Sequence, residues 1–234
     1  MSKHIFWISS YPKSGNTLVR AIISGLFFSK NGKFQLNQLK HSSQFEKRDR
    51  LNLIKKINKE DFLNLDQLKI LSKYWLILQE KENMKIDTGF GFMKTHSSYV
   101  SIFNNWFTNL NNTAGYIYVL RDPRDIYTEL KRKGYGYPGY DVETFCNWYK
   151  LIMKKIDYTE NEKLIFINFE DFALKKDLIL KKIFDFLKIE FSNYNDVKFN
   201  FKRPENNVQQ FKDGLEKIEL EYIENKLTNY LFKF

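Results

Sequence analysis

Only one cysteine, Cys146, occurs in the 234 residues. No disulfide can therefore form within the chain, which agrees with a reducing compartment. Histidine is almost as scarce, at three, and His4 and His41 have no neighbours at metal-ligand spacing, so no metal site is read. No apolar run reaches the roughly 18 residues that a membrane-spanning helix needs, which argues against stable membrane insertion. The opening residues Met1-Ser2-Lys3-His4-Ile5-Phe6-Trp7-Ile8 are too short an apolar run for a signal peptide, and they lead into a Pro/Gly loop. Proline (4) and glycine (10) are few, and no Pro/Gly/Ser linker, repeat or low-complexity tract divides the chain. One domain over residues 1–234, in the cytoplasm, is the expectation.

What is present points to a packed, ligand-binding protein. Apolar residues make up 43% and aromatics 17%, which argues against global disorder. The formal charge is +10. Such an excess suits an anionic ligand, a nucleic acid or a membrane surface, yet a lysine-rich composition can drift basic with no function attached.

Residues 5–9 are apolar, β-rich and bounded by Pro12 and Gly15: a buried strand. From 17 to 28, Leu18, Ala21, Ile22, Gly25 and Leu26 recur with a helical period. Residues 30–88 are charged and lysine-rich, with a helical reading that turns Trp75, Leu76 and Leu78 to the core. Further strands are predicted at 90–95, 116–120 and 164–169. Helices are predicted from Pro123, over 141–156 with Asp141 as N-cap, and over 176–188 and 214–232. Strands alternating with helices imply an α/β fold with a central, mainly parallel sheet flanked by helices.

The segment Ser10-Tyr11-Pro12-Lys13-Ser14-Gly15-Asn16-Thr17 joins the first strand to the first helix. Backbone N–H groups and the helix N-terminus can converge there on one anion. Gly15 permits close approach, Lys13 supplies a full charge, and Ser14, Asn16 and Thr17 supply further donors. An ordinary turn with a helix cap has the same outline. The lysine precedes the only glycine of the loop, unlike the G-x-x-x-x-G-K-S/T pattern of Mg²⁺-dependent nucleotide hydrolases.

Taken with three later segments, this loop resembles the sulfotransferases that use 3′-phosphoadenosine 5′-phosphosulfate (PAPS). Tyr11 to Thr17 is similar to their 5′-phosphosulfate loop. Phe92-Met93-Lys94-Thr95-His96 is similar to their Lys-Thr-His strand end, and Tyr118-Val119-Leu120-Arg121-Asp122-Pro123-Arg124-Asp125 to their 3′-phosphate segment. Asn168-Phe169-Glu170-Asp171 is similar to the segment beside the adenine. Four segments in the right order are a specific match, covering about residues 5–29 and 90–190. The resemblance implies a P-loop-like three-layer fold and PAPS as co-substrate, with product PAP (3′-phosphoadenosine 5′-phosphate) and no metal. The acceptor would be a hydroxyl or amine of a small molecule, lipid or glycan. No nucleic-acid partner is implied, and a homodimer stays open.

By the same resemblance His96 is the catalytic base and Lys13 and Lys94 assist. Donor binding falls to Pro12, Lys13, Ser14, Gly15, Asn16, Thr17, Arg121, Thr128, Phe169 and Arg203. The chemistry suits these residue types. An imidazole can take the acceptor's proton near neutral pH, and a lysine can stabilise charge on the leaving phosphate oxygen. Lys94 lies two residues before His96, so both face one side of a strand.

Departures from the family pattern are also visible. Glu129 stands where a phosphate-binding serine is usual, so either Thr128 takes the role or Glu129 turns away. Phe169 replaces a tyrosine, and the glycines of the C-terminal loop near Arg203 are missing. Arg121 has a surface ion pair with Asp122 or Asp125 as its alternative. Gly134 to Tyr140 is either a mobile aromatic loop over the acceptor or a plain connection. Three alternatives stay open: a kinase or NTPase with a variant phosphate loop, a nucleic-acid-binding protein, and a PAP-binding protein without turnover.

Overall fold

The computed structural model describes residues 4–29, 34–45, 65–84, 86, 90–97, 101–102, 105–106, 108, 110–132, 134, 141–156, 158–188 and 204–233. The central strand β1, His4–Ser10, buries Ile5, Trp7 and Ile8 completely. It pairs in parallel with β2 (Phe90–Thr95) on one side and with β3 (Thr113–Leu120) on the other. Strand β4 (Leu164–Asn168) adds to β3, giving an all-parallel sheet in the order β2-β1-β3-β4. A separate two-stranded antiparallel pair joins Ser101–Ile102 to Asn105–Trp106.

Residue alternation along the strands divides the core between the two faces of the sheet. Ile117, Val119, Ile165 and Ile167 pack with helix α1, Asn16–Phe28. On the same face lies a helix over residues 176–187, through Ile179, Leu180, Ile183 and Phe184. Tyr118 and Leu164 point the other way. There they meet Phe145, Tyr149 and Met153 of a helix over residues 142–153 and Ile223 of one over residues 217–226. Three layers result.

A third cluster covers the flank of the sheet. Trp7, Phe45 and Trp75 meet edge to face, with ring centroids 5.5 and 4.8 Å apart. Trp75 and Leu78 lie on the buried face of α2 (Leu65–Met84), as expected, while Leu76 is half-buried. Residues Leu36–Ser42 form a 3₁₀ turn in place of the expected α-helix. Beyond it the chain covers the outer edge of β2, where the Phe45 N–H donates to the Lys94 carbonyl at 2.8 Å. An edge so covered is no longer open to another strand.

Helix limits follow local chemistry. Pro123 opens α3, Pro123–Arg132. Asp141 caps α4, Val142–Met153, with its carboxylate accepting from the Thr144 N–H at 2.8 Å. Strand β4 stops one residue before the expected limit, because Phe169 begins α5, Phe169–Leu174. Helix α6 is Lys176–Leu187.

The helix expected over 214–232 is shorter and interrupted. Glu216 and Glu219 form a capping box that starts α7 at Lys217–Lys226. The Thr228 hydroxyl then donates to the Glu224 carbonyl at 2.6 Å, and the chain passes into a 3₁₀ turn, Thr228–Tyr230.

Candidate active site

The strand register sets the site. Ser9 lies level with Thr95 and Tyr118, and Leu120 lies level with Asn168. The residues that follow the four strands, Tyr11 to Gly15, His96, Arg121 and Phe169, therefore gather at one end of the sheet. The carboxyl ends of parallel strands are where open α/β sheets bind ligands.

The loop between β1 and α1 is held tightly. Lys13 and Gly15 both have positive φ, 71° and 92°. That conformation costs a lysine about 1–2 kcal/mol, so the surrounding contacts must enforce it. A Cβ on Gly15 would lie 2.3 Å from Cδ2 of Phe169. The glycine thus makes room for this ring as well as for the backbone turn. Ser14 is 1% exposed, and its hydroxyl has no hydrogen-bond partner among the described residues. Pro12 and Lys13 are partly exposed, and Thr17 is exposed. Asn16 points inward: its amide nitrogen donates to the Ile8 carbonyl at 2.9 Å and to the Ser10 hydroxyl at 3.2 Å.

His96 follows β2 directly. Its Nδ1 is 2.7 Å from the Ser10 carbonyl oxygen. A carbonyl only accepts, so this contact assigns the ring proton to Nδ1 and the lone pair to Nε2. The Ser10 hydroxyl lies farther from Nδ1, at 3.4 Å. Lys94, two residues earlier, directs its ammonium to the Gln44 side-chain oxygen at 3.3 Å.

Arg121 is buried, at 6% exposure, so the surface ion pair is not what the structure shows. One terminal nitrogen donates to the Lys13 carbonyl at 2.8 Å, and the other to the Asn207 carbonyl at 2.6 Å. Its guanidinium carbon sits 4.8 Å from the centroid of the Phe169 ring, and Nε is buried with no partner among the described residues. Burial lowers the pKa of this guanidinium, while Asp125, Glu170, Glu129 and Asp122 oppose the shift. Arg121 therefore ties the phosphate loop to the C-terminal segment.

Three buried acids complete that tie. Asp125, fully buried, accepts from the Gln209 N–H at 2.9 Å and the Phe211 N–H at 3.1 Å. Burial raises its pKa, against the pull of Arg121. Asp122 accepts from Arg124 Nε at 3.0 Å and from the Phe232 N–H at 3.2 Å. Arg124 also reaches Glu224 at 2.6 Å and lies over the Phe211 ring. Glu170 accepts from the Asp122 N–H at 2.8 Å, and burial pushes its carboxyl up to about 7.

Neither of the two readings at Thr128 and Glu129 presents a donor directly. Thr128 is buried, its hydroxyl donates to the Arg124 carbonyl at 2.8 Å, and its methyl fills the space beside Gly214. Glu129 turns to Arg132, 3.8 Å away. Arg203 and the loop residues Tyr135 to Tyr140 lie outside the described residues, as does the charged stretch from Lys47 to Lys59.

Reading the sequence assigned no side-chain role to Ser10, Asn207 or Glu170, and offered Asp122 and Asp125 only as surface partners of Arg121. Backbone carbonyls leave no sequence signal.

The model of the sulfotransferase domain matches residues 3–221. The chain belongs to the sulfotransferase domain family. No curated protein sequence matches it. Among solved structures it is similar to the sulfotransferase domain of the Synechococcus PCC 7002 olefin synthase, with 15% identity and a TM-score of 0.54 over 99% of this chain and 96% of that one. The sulfotransferase domain from the curacin biosynthetic pathway gives 18% and 0.51 over 97% and 98%. Retinol dehydratase, crystallised with androsterone and the inactive cofactor PAP, gives 12% and 0.50 over 98% and 82%. These likenesses establish the P-loop-like fold, and family membership makes this sulfotransferase-domain chain a transferase. Among the described residues, no helix is long and apolar enough to cross a membrane.

Proposed function

We propose that this chain moves the sulfuryl group of PAPS to a hydroxyl or amine of a small-molecule, lipid or glycan acceptor. The observation that carries the reading is the His96 contact. Nδ1 held on the Ser10 carbonyl at 2.7 Å makes Nε2 the basic nitrogen, one strand away from the phosphate loop.

The donor suits the residues around the loop. The 13-residue helix α1 offers its positive end, and Ser14 has a buried hydroxyl with no partner among the described residues. Lys13 supplies the charge for the 5′ side. Arg121, whose buried Nε has no partner among the described residues, is the candidate for the 3′-phosphate, whereas Thr128 has its hydroxyl engaged. Phe169 would offer its face to the nucleoside. That retinol dehydratase, a neighbour in fold, was crystallised with PAP and androsterone supports this choice of donor and a hydroxyl acceptor.

The step itself balances simply. An acceptor oxygen or nitrogen attacks sulfur in line as the bond from sulfur to the phosphate oxygen breaks. Nε2 of His96 takes the acceptor's proton, PAP leaves, and Lys13 stabilises the charge on the departing oxygen. A second reading, PAP binding without turnover, draws on Glu129 and on the engaged Thr128 hydroxyl.

Thermal unfolding with PAP, compared with ATP–Mg²⁺, tests the donor. At about 100 times its Kd, PAP adds roughly 2.7 kcal/mol and raises Tm by about 5–10 °C. No shift at millimolar PAP would sink both readings. Radiolabelled sulfuryl transfer from PAPS to a panel of alcohols and amines then separates them. Turnover lost in His96→Ala with PAP binding retained supports the transferase; a shift without turnover on any acceptor supports the second reading.

A further inference from the structure

Asn16 belongs to the phosphate loop in sequence, yet its side chain does not face the loop's hollow. It is 4% exposed, and its amide nitrogen donates to the Ile8 carbonyl at 2.9 Å and to the Ser10 hydroxyl at 3.2 Å. Both acceptors lie on β1. Ser10 in turn meets His96 twice: its carbonyl is 2.7 Å from Nδ1 and its hydroxyl 3.4 Å from the same atom.

Only the first of these contacts fixes the tautomer, because a hydroxyl can either accept from a protonated Nδ1 or donate to a bare one. The carbonyl requires a proton on Nδ1. A hydroxyl donating to Nδ1 would require that nitrogen bare, with the proton on Nε2, where it could no longer accept one. The Asn16 N–H reaches the Ser10 oxygen and occupies one of its lone pairs, which restricts how that hydroxyl can turn. It also holds the end of β1 by its grip on Ile8, and so fixes where the Ser10 carbonyl points.

We infer that Asn16 is a positioning residue that acts through Ser10 to hold His96 in its base-competent tautomer and orientation. The inference rests on the proposed role of His96. It assigns the Asn16 side chain to the base in place of the donor phosphates, and it links the first residue of the loop helix to the end of β1, where the loop begins. Donor loop and base then form one hydrogen-bonded unit. A displacement of either would be felt by the other, as expected when residues share a network.

The test pairs kinetics with a spectroscopic readout on the full chain. In Asn16→Ala, kcat is expected to fall about tenfold, the rate equivalent of one lost hydrogen bond, with PAP affinity within about twofold of the parent. Ser10→Ala, which keeps the carbonyl but removes the competing hydroxyl, should keep His96 protonated at Nδ1, and Asn16→Ala should cost less kcat in that background than in the parent. Because the two act in series, the double variant should be no slower than Asn16→Ala alone. Nitrogen-15 spectra of the His96 ring should show one tautomer, protonated at Nδ1, in the parent and a mixture in Asn16→Ala.

A fall in PAP affinity with kcat unchanged would place Asn16 on the donor and overturn the inference. Multiplying effects in the double variant, or an unaltered single tautomer in Asn16→Ala, would also overturn it. His96→Ala keeps the two questions apart. If that variant still turns over, the base assignment falls, while the ring spectra still decide whether Asn16 governs the tautomer.

Discussion

Replacing Gly15 by alanine perturbs the site at its most constrained point. The backbone there has φ 92°, a left-handed conformation that costs an alanine about 1–2 kcal/mol. The new methyl would also stand 2.3, 2.9 and 3.2 Å from three carbons of the Phe169 ring. That ring is only 6% exposed and lies against Arg121, so it cannot swing aside freely. Forcing a buried side chain from its place adds about 1–3 kcal/mol. The sum is about 2–5 kcal/mol, or a Tm lower by about 5–15 °C for a chain of this size. Chemical and thermal unfolding measure it directly. Repeating the change in a Phe169→Ala background removes the ring and should leave only the backbone cost of about 1–2 kcal/mol. The reasoning fails if Gly15→Ala unfolds within about 0.5 kcal/mol of the parent, or if its cost is the same with and without the ring.

Other expectations follow from the buried acids, the helix hydroxyl and the loop lysine. With its carboxyl pushed up to about 7 by burial, Glu170 keeps a proton in the folded chain that the unfolded chain releases near its ordinary value. Stability should therefore fall as pH rises from about 4.5 to 7, by up to about 3 kcal/mol. Glu170→Gln, which retains an oxygen for the Asp122 N–H, should flatten that slope in denaturation at pH 5 to 8; an equal slope in both proteins would contradict the assignment. Asp125→Ala strands the part-buried Gln209 N–H and the buried Phe211 N–H, and a loss of about 2–5 kcal/mol is expected, with faster proteolysis within residues 204–233. Thr128→Val should leave PAP affinity within about twofold, because the hydroxyl serves the Arg124 carbonyl; calorimetric titration with PAP reads this. Lys13→Ala should weaken PAP binding and lower kcat about a hundredfold or more by removing a charge that acts on the leaving oxygen, and unaltered steady-state kinetics would remove it from the step.

Where a side chain's own character dictated local structure, the sequence could be read directly. The apolar run before Pro12 and Gly15, the helical period after them, Pro123 at a helix start and Asp141 as a cap all stand where expected. The strand ends that carry Lys13, His96, Arg121 and Phe169 were legible because strands alternating with helices leave few topologies. Legibility failed where two side chains or a backbone group decided the outcome. Asn16 has the donors for an anion, and only the fold shows them turned to Ile8 and Ser10. Gly15 reads as space for a ligand, and the structure gives that space to Phe169. Arg121 reads as a phosphate ligand with a surface ion pair as its alternative, yet its hydrogen bonds run to carbonyls 108 and 86 residues away. Composition and spacing carry no record of such backbone partners. The single long helix expected near the C-terminus was broken by a capping box and a threonine back-bond, both too short-ranged to outweigh a periodicity argument.

The contacts of Arg121, Asp122 and Asp125 with residues 207–232 also bear on the order in which the molecule is finished. A nascent chain that has emerged only to residue 200 can already pair all four strands and form the phosphate loop. It lacks Asn207 for the second arm of Arg121, and it leaves Asp122 and Asp125 without their distant N–H donors. Contacts at such separations close late, after the local helices and neighbouring strands are in place. The ties that fix Arg121, Asp122 and Asp125 thus form only after residues 207–232 have been made.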